Sequence, residues 1–326
     1  MFSRLKHRNN KQIYYLCNYV RLLIPDFIFR NRLKKKLSSI SKYDLNYIKQ
    51  RVNYYNRLKK KYDLPNELTS LKDFKIKNHH RTYFFDTYQY SRFFKKKFKL
   101  NMLFGDITHI PGLPSIVKSR PIDDENHNSV LMKLNKVRHF TYTNDKNKFE
   151  DKIDKLIGRS AISKKHKKRI DFFKIYFNHP LCNLGAINKD TPHPEWLKNK
   201  ISIEDHLKYK FIMCVEGVDV ATNLKWVMSS NSIAVMPKPK IESWFMENKL
   251  IPNKHYIEIK EDYSDLESKL KFYLGNPNKC ENIIKNANEY ISQFKNKSRE
   301  NLISLLVLEK YFYYTGQREK TSNLNY

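Results

Sequence analysis

The stretch YKFIMCVEGVDVATNLKWVMSSNSIAVM, residues 209–236, decides the fold. Phe211-Ile212-Met213-Cys214-Val215 is a continuous apolar run, the pattern of a strand covered on both faces. Glu216-Gly217 breaks it. Val220–Ser229 then has helical spacing with Leu224, Val227 and Met228 turned inward. Asn231-Ser232 turns the chain into a second apolar run, Ile233-Ala234-Val235. Strand, helix and strand in so short a span make a β-α-β unit, which implies a parallel sheet and an α/β fold. A glycine between a buried strand and a helix brings backbone N–H groups and the helix dipole to the strand's carboxyl edge, where phosphates bind. Asn223 and Lys225 fall in the first turns of that helix, within reach of a diphosphate; an ordinary crossover helix after a glycine turn fits the spacing too. No G-x-G-x-x-G or Walker pattern is present, so an ordinary dinucleotide or P-loop site is disfavoured.

Downstream, Tyr256–Ile259 reads as a strand, and Ser264-x-x-Glu267 as a capping box opening a helix. Asn276-Pro277 opens another, with Asn276 as the cap. A long helix over Lys297–Tyr314 stops at Gly316. Upstream, Glu204–Tyr209 and Lys164–Tyr176 read as helices, the second strongly basic. Arg81–Tyr90, Leu100–Phe104 and Arg138–Thr143 read as strands, and Ile110-Pro111-Gly112-Leu113-Pro114 as a rigid loop. Residues 1–62 read as helical. Pro180, Pro192 and Pro194 cluster where two domains are expected to divide, giving an N-terminal acceptor-side domain over 1–190 and a C-terminal nucleotide-sugar-binding domain over 191–326.

Composition bounds the partners. The 326 residues carry 63 Lys and Arg against 33 Asp and Glu, a formal charge of +30. Such a field attracts nucleic acid, anionic headgroups, nucleotide diphosphates or phosphorylated glycans. Only 15 of the basic residues are Arg, so drift toward A/T-rich codons explains the charge equally well. The four cysteines (Cys17, Cys182, Cys214, Cys280) are far apart, which excludes a zinc ribbon or C-x-x-C redox motif and fits reduced thiols in the cytoplasm. No window of about 18 apolar residues spans a membrane, and the basic start lacks a signal peptide's apolar core. Tyr14, Val20, Leu23, Phe27 and Phe29 lie among Arg21, Arg30 and Arg32, ahead of Lys34-Lys35-Lys36. That basic amphipathic segment suits an anionic membrane surface, or else a solvated helix face.

The segment from Lys208 to Leu270 resembles glycosyltransferase family 90, which includes CAP10-type capsule proteins, protein O-glucosyltransferases and bacterial lipopolysaccharide A proteins. The resemblance lies in an ordered series: Lys208-Tyr209-Lys210 before a strand, the Gly217 loop, the Lys225 helix, Ser229-Ser230 before a strand, Trp244, then His255-Tyr256. GDITHIPGLPSIVKSRPI from Gly105 and LIGRSAIS from Leu156 extend it upstream. The resemblance implies a GT-B architecture of two Rossmann-like domains with a cleft between them, here with a helical N-terminal region and a C-terminal helix. It implies an inverting, metal-independent transfer with a UDP-sugar as co-substrate, and the chain has no D-x-D signature. Asp106 occupies the position of the relatives' catalytic base, with His109 in reserve; a turn-forming Asp after Gly105 is the plainer reading.

Gly158-Arg159-Ser160 resembles the family's turn along the donor cleft. Asn223 stands where the protein O-glucosyltransferases carry a diphosphate-gripping Arg, which shifts that duty to Lys225, Arg159 or Arg120. Glu216 and Asp219 are placed to bond sugar or ribose hydroxyls. The expected function is transfer of a hexose, glucose or galactose, to lipopolysaccharide core or a related surface glycan, on the cytoplasmic face of a bacterial inner membrane. A basic nucleic-acid-binding protein and a non-catalytic scaffold of the same family are the alternatives.

Overall fold

The computed structural model describes residues 10–319. The part of the expected N-terminal helical region before Asn10 lies outside them. In chain order the elements are helices α1 (Lys11–Leu23), α2 (Asp26–Ser38), α3 (Leu45–Tyr55) and α4 (Arg81–Ser91), then strands β1 (Ser115–Val117), β2 (Ser119–Pro121) and β3 (Ser129–Leu131). There follow α5 (Lys136–His139), β4 (Ile153–Ser160), α6 (Lys167–Tyr176), β5 (Cys182–Ala186), α7 (Ile203–His206), β6 (Tyr209–Met213), α8 (Leu224–Val227) and β7 (Ile233–Met236). The last are β8 (Ile241–Ser243), β9 (Ile257–Glu258), α9 (Leu266–Leu274), α10 (Pro277–Ser292) and α11 (Lys297–Tyr314).

The chain forms two compact units. One comprises Arg138–Lys240 with Met246–Gln293; the other comprises Lys11–Val137, Ile241–Phe245 and the chain from Phe294 onward. The first boundary therefore falls after Val137 and not near residue 190. Pro180, Pro192 and Pro194 lie inside the first unit, on either side of β5, and α11 returns to the unit of the N-terminal helices.

The first unit is a five-stranded sheet in the order β5-β4-β6-β7-β9, every neighbouring pair parallel. The β6-α8-β7 crossover predicted from residues 209–236 is present. Phe211, Ile212, Ile233, Ala234 and Val235 are all buried, as both-face coverage requires. Phe172 and Phe173 of α6, Leu266 and Leu270 of α9 and Cys280 and Ile283 of α10 share one core with Leu156, Phe211 and Val235 of the sheet. Gly158 sits inside β4, where a methyl group would come 3.0 Å from Leu184 and 3.2 Å from Met213, so the strand packs tightly at this glycine.

The second unit is mainly helical. Among the described residues its sheets are two-stranded, β1 with β3 and β2 with β8, so only the first unit carries the doubly wound sheet expected of both. Arg81–Tyr90, rich in aromatic and β-branched residues, lies in helix α4 instead of a strand. Its Tyr83, Phe84, Phe85, Thr87 and Tyr90 are buried, so tertiary packing overrides local β propensity. Leu100–Phe104 makes only an isolated parallel bridge, Met102 to Ile116, and Arg138–Thr143 is irregular beyond α5. The Ser264 capping box does not form: Ser264 Oγ donates to Asp262, and α9 begins at Leu266 with Asp265 in the cap position. Asn276 precedes α10, but its amide donates to Phe272 O, leaving Pro277 as the start signal. Helix α11 ends as expected, with Gly316 at φ +67°, a left-handed conformation glycine adopts without strain.

Candidate active site

The strand order creates a site that composition alone does not show. The chain leaves β4 toward β5 on one side, whereas β6 lies on the other side of β4. The carboxyl ends of β4 and β6 therefore flank a topological switch point, where open parallel sheets bind ligands. Two loops meet there, one following Ser160 and the other following Met213 and carrying Gly217.

Arg169 links them. From the first turn of α6 its Nε donates to Val215 O at 3.3 Å and its Nη1 to Ala161 O at 3.2 Å. A methyl group on Gly217 would lie 3.1 Å from Arg169 Nη2 and 3.3 Å from His166 Cδ2, so a side chain there would crowd the guanidinium. Burial pushes Arg169 down to about 10, and the neighbouring charge of Arg138 adds to this while Asp219 opposes it. It stays cationic at neutral pH. His166 Nδ1 accepts from the Ser163 N–H at 3.0 Å, which leaves the neutral ring's proton on Nε2. Arg169, the N-terminus of a ten-residue helix and a glycine turn thus converge at the sheet's carboxyl edge, and the charge of Arg138 is felt at Arg169.

This arrangement changes the roles of the residues expected to hold a donor. Lys225 is fully buried and pairs with Glu247 at 2.6 Å, both side chains shut from solvent, so it holds the fold and does not reach a ligand. Helix α8 is one turn long, so its dipole contributes little; α6 supplies the helix N-terminus in its place. Asn223 donates to Met213 O at 2.8 Å, tying the glycine loop to β6. Glu216 pairs with Lys168 and accepts the Lys240 N–H at 3.0 Å. Asp219 is buried beside Arg169 and balances its charge.

Gly158, Arg159 and Ser160 are the last residues of β4, not a turn. Arg159 donates to Asn183 O at 2.7 Å and Asn183 Oδ1 at 2.9 Å, back along β5 and away from the switch point. Arg120 is fully buried in the second unit, its Nε 2.8 Å from Glu242 and its remaining nitrogens on the carbonyls of Tyr54 and Ser129. It is a core ion pair.

In the second unit, Asn101–Leu103 runs parallel to β1, Ile116 N donating to Asn101 O at 2.8 Å and Leu103 N to Ile116 O at 3.0 Å. Asp106 lies just past that segment, after Gly105 at φ +115°, a conformation that side chains rarely adopt. Lys118, buried just past β1, reaches Asp106 Oδ1 at 2.6 Å and fixes the carboxylate's direction, while the Asp106 side chain keeps 42% of its exposure. His109 is exposed farther along the loop. The loop's far end is held by Tyr311 OH on Pro114 O at 3.1 Å and Asn128 Nδ2 on Pro111 O at 2.9 Å. An oriented, accessible carboxylate is what proton abstraction from a hydroxyl needs.

A parallel sheet with a switch point and a cation beside it is the kind of edge at which phosphorylated ligands bind in open α/β folds. Comparison with known proteins narrows the class. Residues 132–309 match the model of glycosyl transferase family 90. The chain is 39% identical to the O-glucosyltransferase LpsA of Dichelobacter nodosus over 265 residues, 81% of this chain and 82% of the relative. It is also 30% identical over 130 residues to uncharacterized protein 179R of Invertebrate iridescent virus 6, 38% of this chain but 10% of that protein. The chain belongs to glycosyl transferase family 90 and is a glycosyltransferase.

Proposed function

We propose that this glycosyltransferase moves a hexose from a UDP-sugar to a lipopolysaccharide core or related surface glycan, with inversion and without a metal. The observation that carries the donor side is Arg169 spanning the loops after β4 and β6 over Gly217. A guanidinium offers paired donors to phosphate, and Arg138 and the α6 N-terminus add positive potential. Stabilising the nucleoside diphosphate as it leaves is an electrostatic task, and fixed cations perform it without reorganising.

Asp106 is the proposed general base. It takes the acceptor hydroxyl's proton as the oxygen attacks the anomeric carbon and the bond to the diphosphate breaks. Inversion follows from a single displacement. In this reading the five-stranded unit holds the donor and the Asp106 unit serves the acceptor. A cytoplasmic location at the inner face of the inner membrane, where lipid-linked acceptors are within reach, belongs to it too. The name of the Dichelobacter relative favours glucose as the sugar transferred.

Donor screening by product mass, with truncated lipopolysaccharide as acceptor, tests the reading. Addition of one hexose from UDP-glucose or UDP-galactose supports it. Transfer from another donor class, or activity abolished by chelators and restored by a metal, rejects the corresponding part. A folded Asp106→Asn variant separates an enzyme from a scaffold: loss of transfer supports catalysis at Asp106.

A further inference from the structure

We propose that the corner formed by α1 and α2 docks on a bilayer of anionic phospholipid. The observation is a helix that is apolar on two opposite sides. The inner side of α1 packs on α4: Tyr14 OH donates to Asp86 at 2.8 Å, the Tyr14 and Tyr15 rings meet Phe85 edge-on, and Leu22 joins the Phe74–Phe84 cluster. The outer side carries Leu16, Val20 and Leu23, at helical spacing and 65%, 51% and 82% exposed. Ile24 at the break before α2 and Phe27 in the first turn of α2 extend the apolar surface, 39% and 54% exposed. A helix resting on a globular core in water has polar residues on its outer side. A contiguous apolar patch there marks an interaction surface.

A second observation selects the occupant. Beside this corner, with Leu22 and Asp26 in its wall, is a cavity of about 460 Å³. Phe74 and Phe84 contribute aromatic lining, and four exposed lysines, Lys72, Lys75, Lys77 and Lys96, surround it. The one carboxylate in the lining, Asp26, is paired with Arg92 at 2.9 Å and does not offset the lysines. Farther along α2, Lys34, Lys35 and Lys36 are exposed. Cations flanking an aliphatic patch match the headgroup and upper acyl region of an anionic leaflet. Nucleic acid would use the lysines but has no partner for Leu16, Val20 and Leu23. Among the described residues no helix is long and apolar enough to cross a membrane, so attachment of this kind is peripheral. The proposal does not depend on the catalytic reading.

The protein carries its own probe position. Cys17 is exposed beside the patch, whereas Cys182, Cys214 and Cys280 are buried. The full chain is labelled at Cys17 with a polarity-sensitive fluorophore and mixed with vesicles of phosphatidylcholine alone or with phosphatidylglycerol. Flotation is measured in parallel with unlabelled protein. The expected result is a blue shift and flotation with the anionic vesicles, weakening as salt rises. Leu16→Glu/Leu23→Glu should reduce flotation at least ~10-fold. Lys72→Gln/Lys75→Gln/Lys77→Gln should weaken it about 5-fold per charge removed. Leu23→Gln, a milder change at a mostly exposed position, should lower affinity with unfolding temperature unchanged. Equal binding to neutral vesicles, no binding to either kind, or wild-type binding by folded variants of the patch or the lysines overturns the proposal. So does duplex DNA that displaces the vesicles through the same lysines.

Discussion

Gly217→Ala probes the donor site with a single methyl group. Gly217 is not in the left-handed region, so alanine costs no backbone strain and the effect is steric. The new carbon would stand 3.1 Å from Arg169 Nη2 and 3.2 Å from Cζ, against a comfortable separation of about 3.5 Å or more. The guanidinium must retreat by roughly 0.4 Å on that basis. It has little room, because Ala161 O and Val215 O hold it from two sides. A hydrogen bond to a charged group contributes about 1.5–3 kcal/mol, so disturbing one in part costs about 1 kcal/mol. That corresponds to a fall of about 5- to 10-fold in kcat/KM for the UDP-sugar. Arg169→Ala removes the contact outright and should cost about 100-fold or more. The assay varies donor at saturating acceptor, with calorimetric titration of UDP as the binding measurement. If both variants bind UDP and turn over donor as the wild type does, the diphosphate is not held at this switch point.

Three further outcomes follow from other parts of the structure. Lys118→Gln removes the ammonium that aims Asp106; steady-state kinetics should show kcat down about 10-fold with donor KM unchanged, the mark of a positioning residue. Lys225→Met strands Glu247 without its partner and should cost about 3–5 kcal/mol in denaturant unfolding, while Lys225→Met/Glu247→Leu recovers much of the loss. Burial lowers Lys310 from its usual 10.5 to about 7, with Lys59 contributing, so the unfolded chain binds more protons than the folded one between those values. Wild-type stability relative to Lys310→Met should therefore improve as pH rises from 7 toward 10, read from unfolding temperatures; an unchanged difference would contradict the downward shift of the buried amine.

How much of this was legible in the sequence depends on how local each signal is. Two apolar runs with a glycine break and a helical interval announce β6-α8-β7, since periodicity and coverage are local properties. Helix α11 is legible for the same reason, with Gly316 closing it. Arg81–Ser91 misleads because its aromatic residues carry strand propensity while burial on most sides hides any helical period. Lys225 looked like a ligand because it follows the glycine loop; only the fold shows Glu247 facing it from 22 residues away. Arg169 was missed because KKHKKR, residues 164–169, reads as a solvated basic run. Its meaning depends on strand order, which puts β5 and β6 on opposite sides of β4. No local pattern encodes that. The nearest local signal is Gly217, where a side chain would crowd the arginine above it.

The most direct test of glycosyl transfer by this chain is a comparison of wild type and Asp106→Asn with UDP-glucose and truncated lipopolysaccharide, followed by product mass and by the anomeric configuration of the new linkage. The wild type should yield one added hexose of inverted configuration. Asp106→Asn, folded and binding UDP normally, should give at least ~100-fold less product, as general-base loss implies. Retained configuration, or full transfer by Asp106→Asn, would contradict this mechanism.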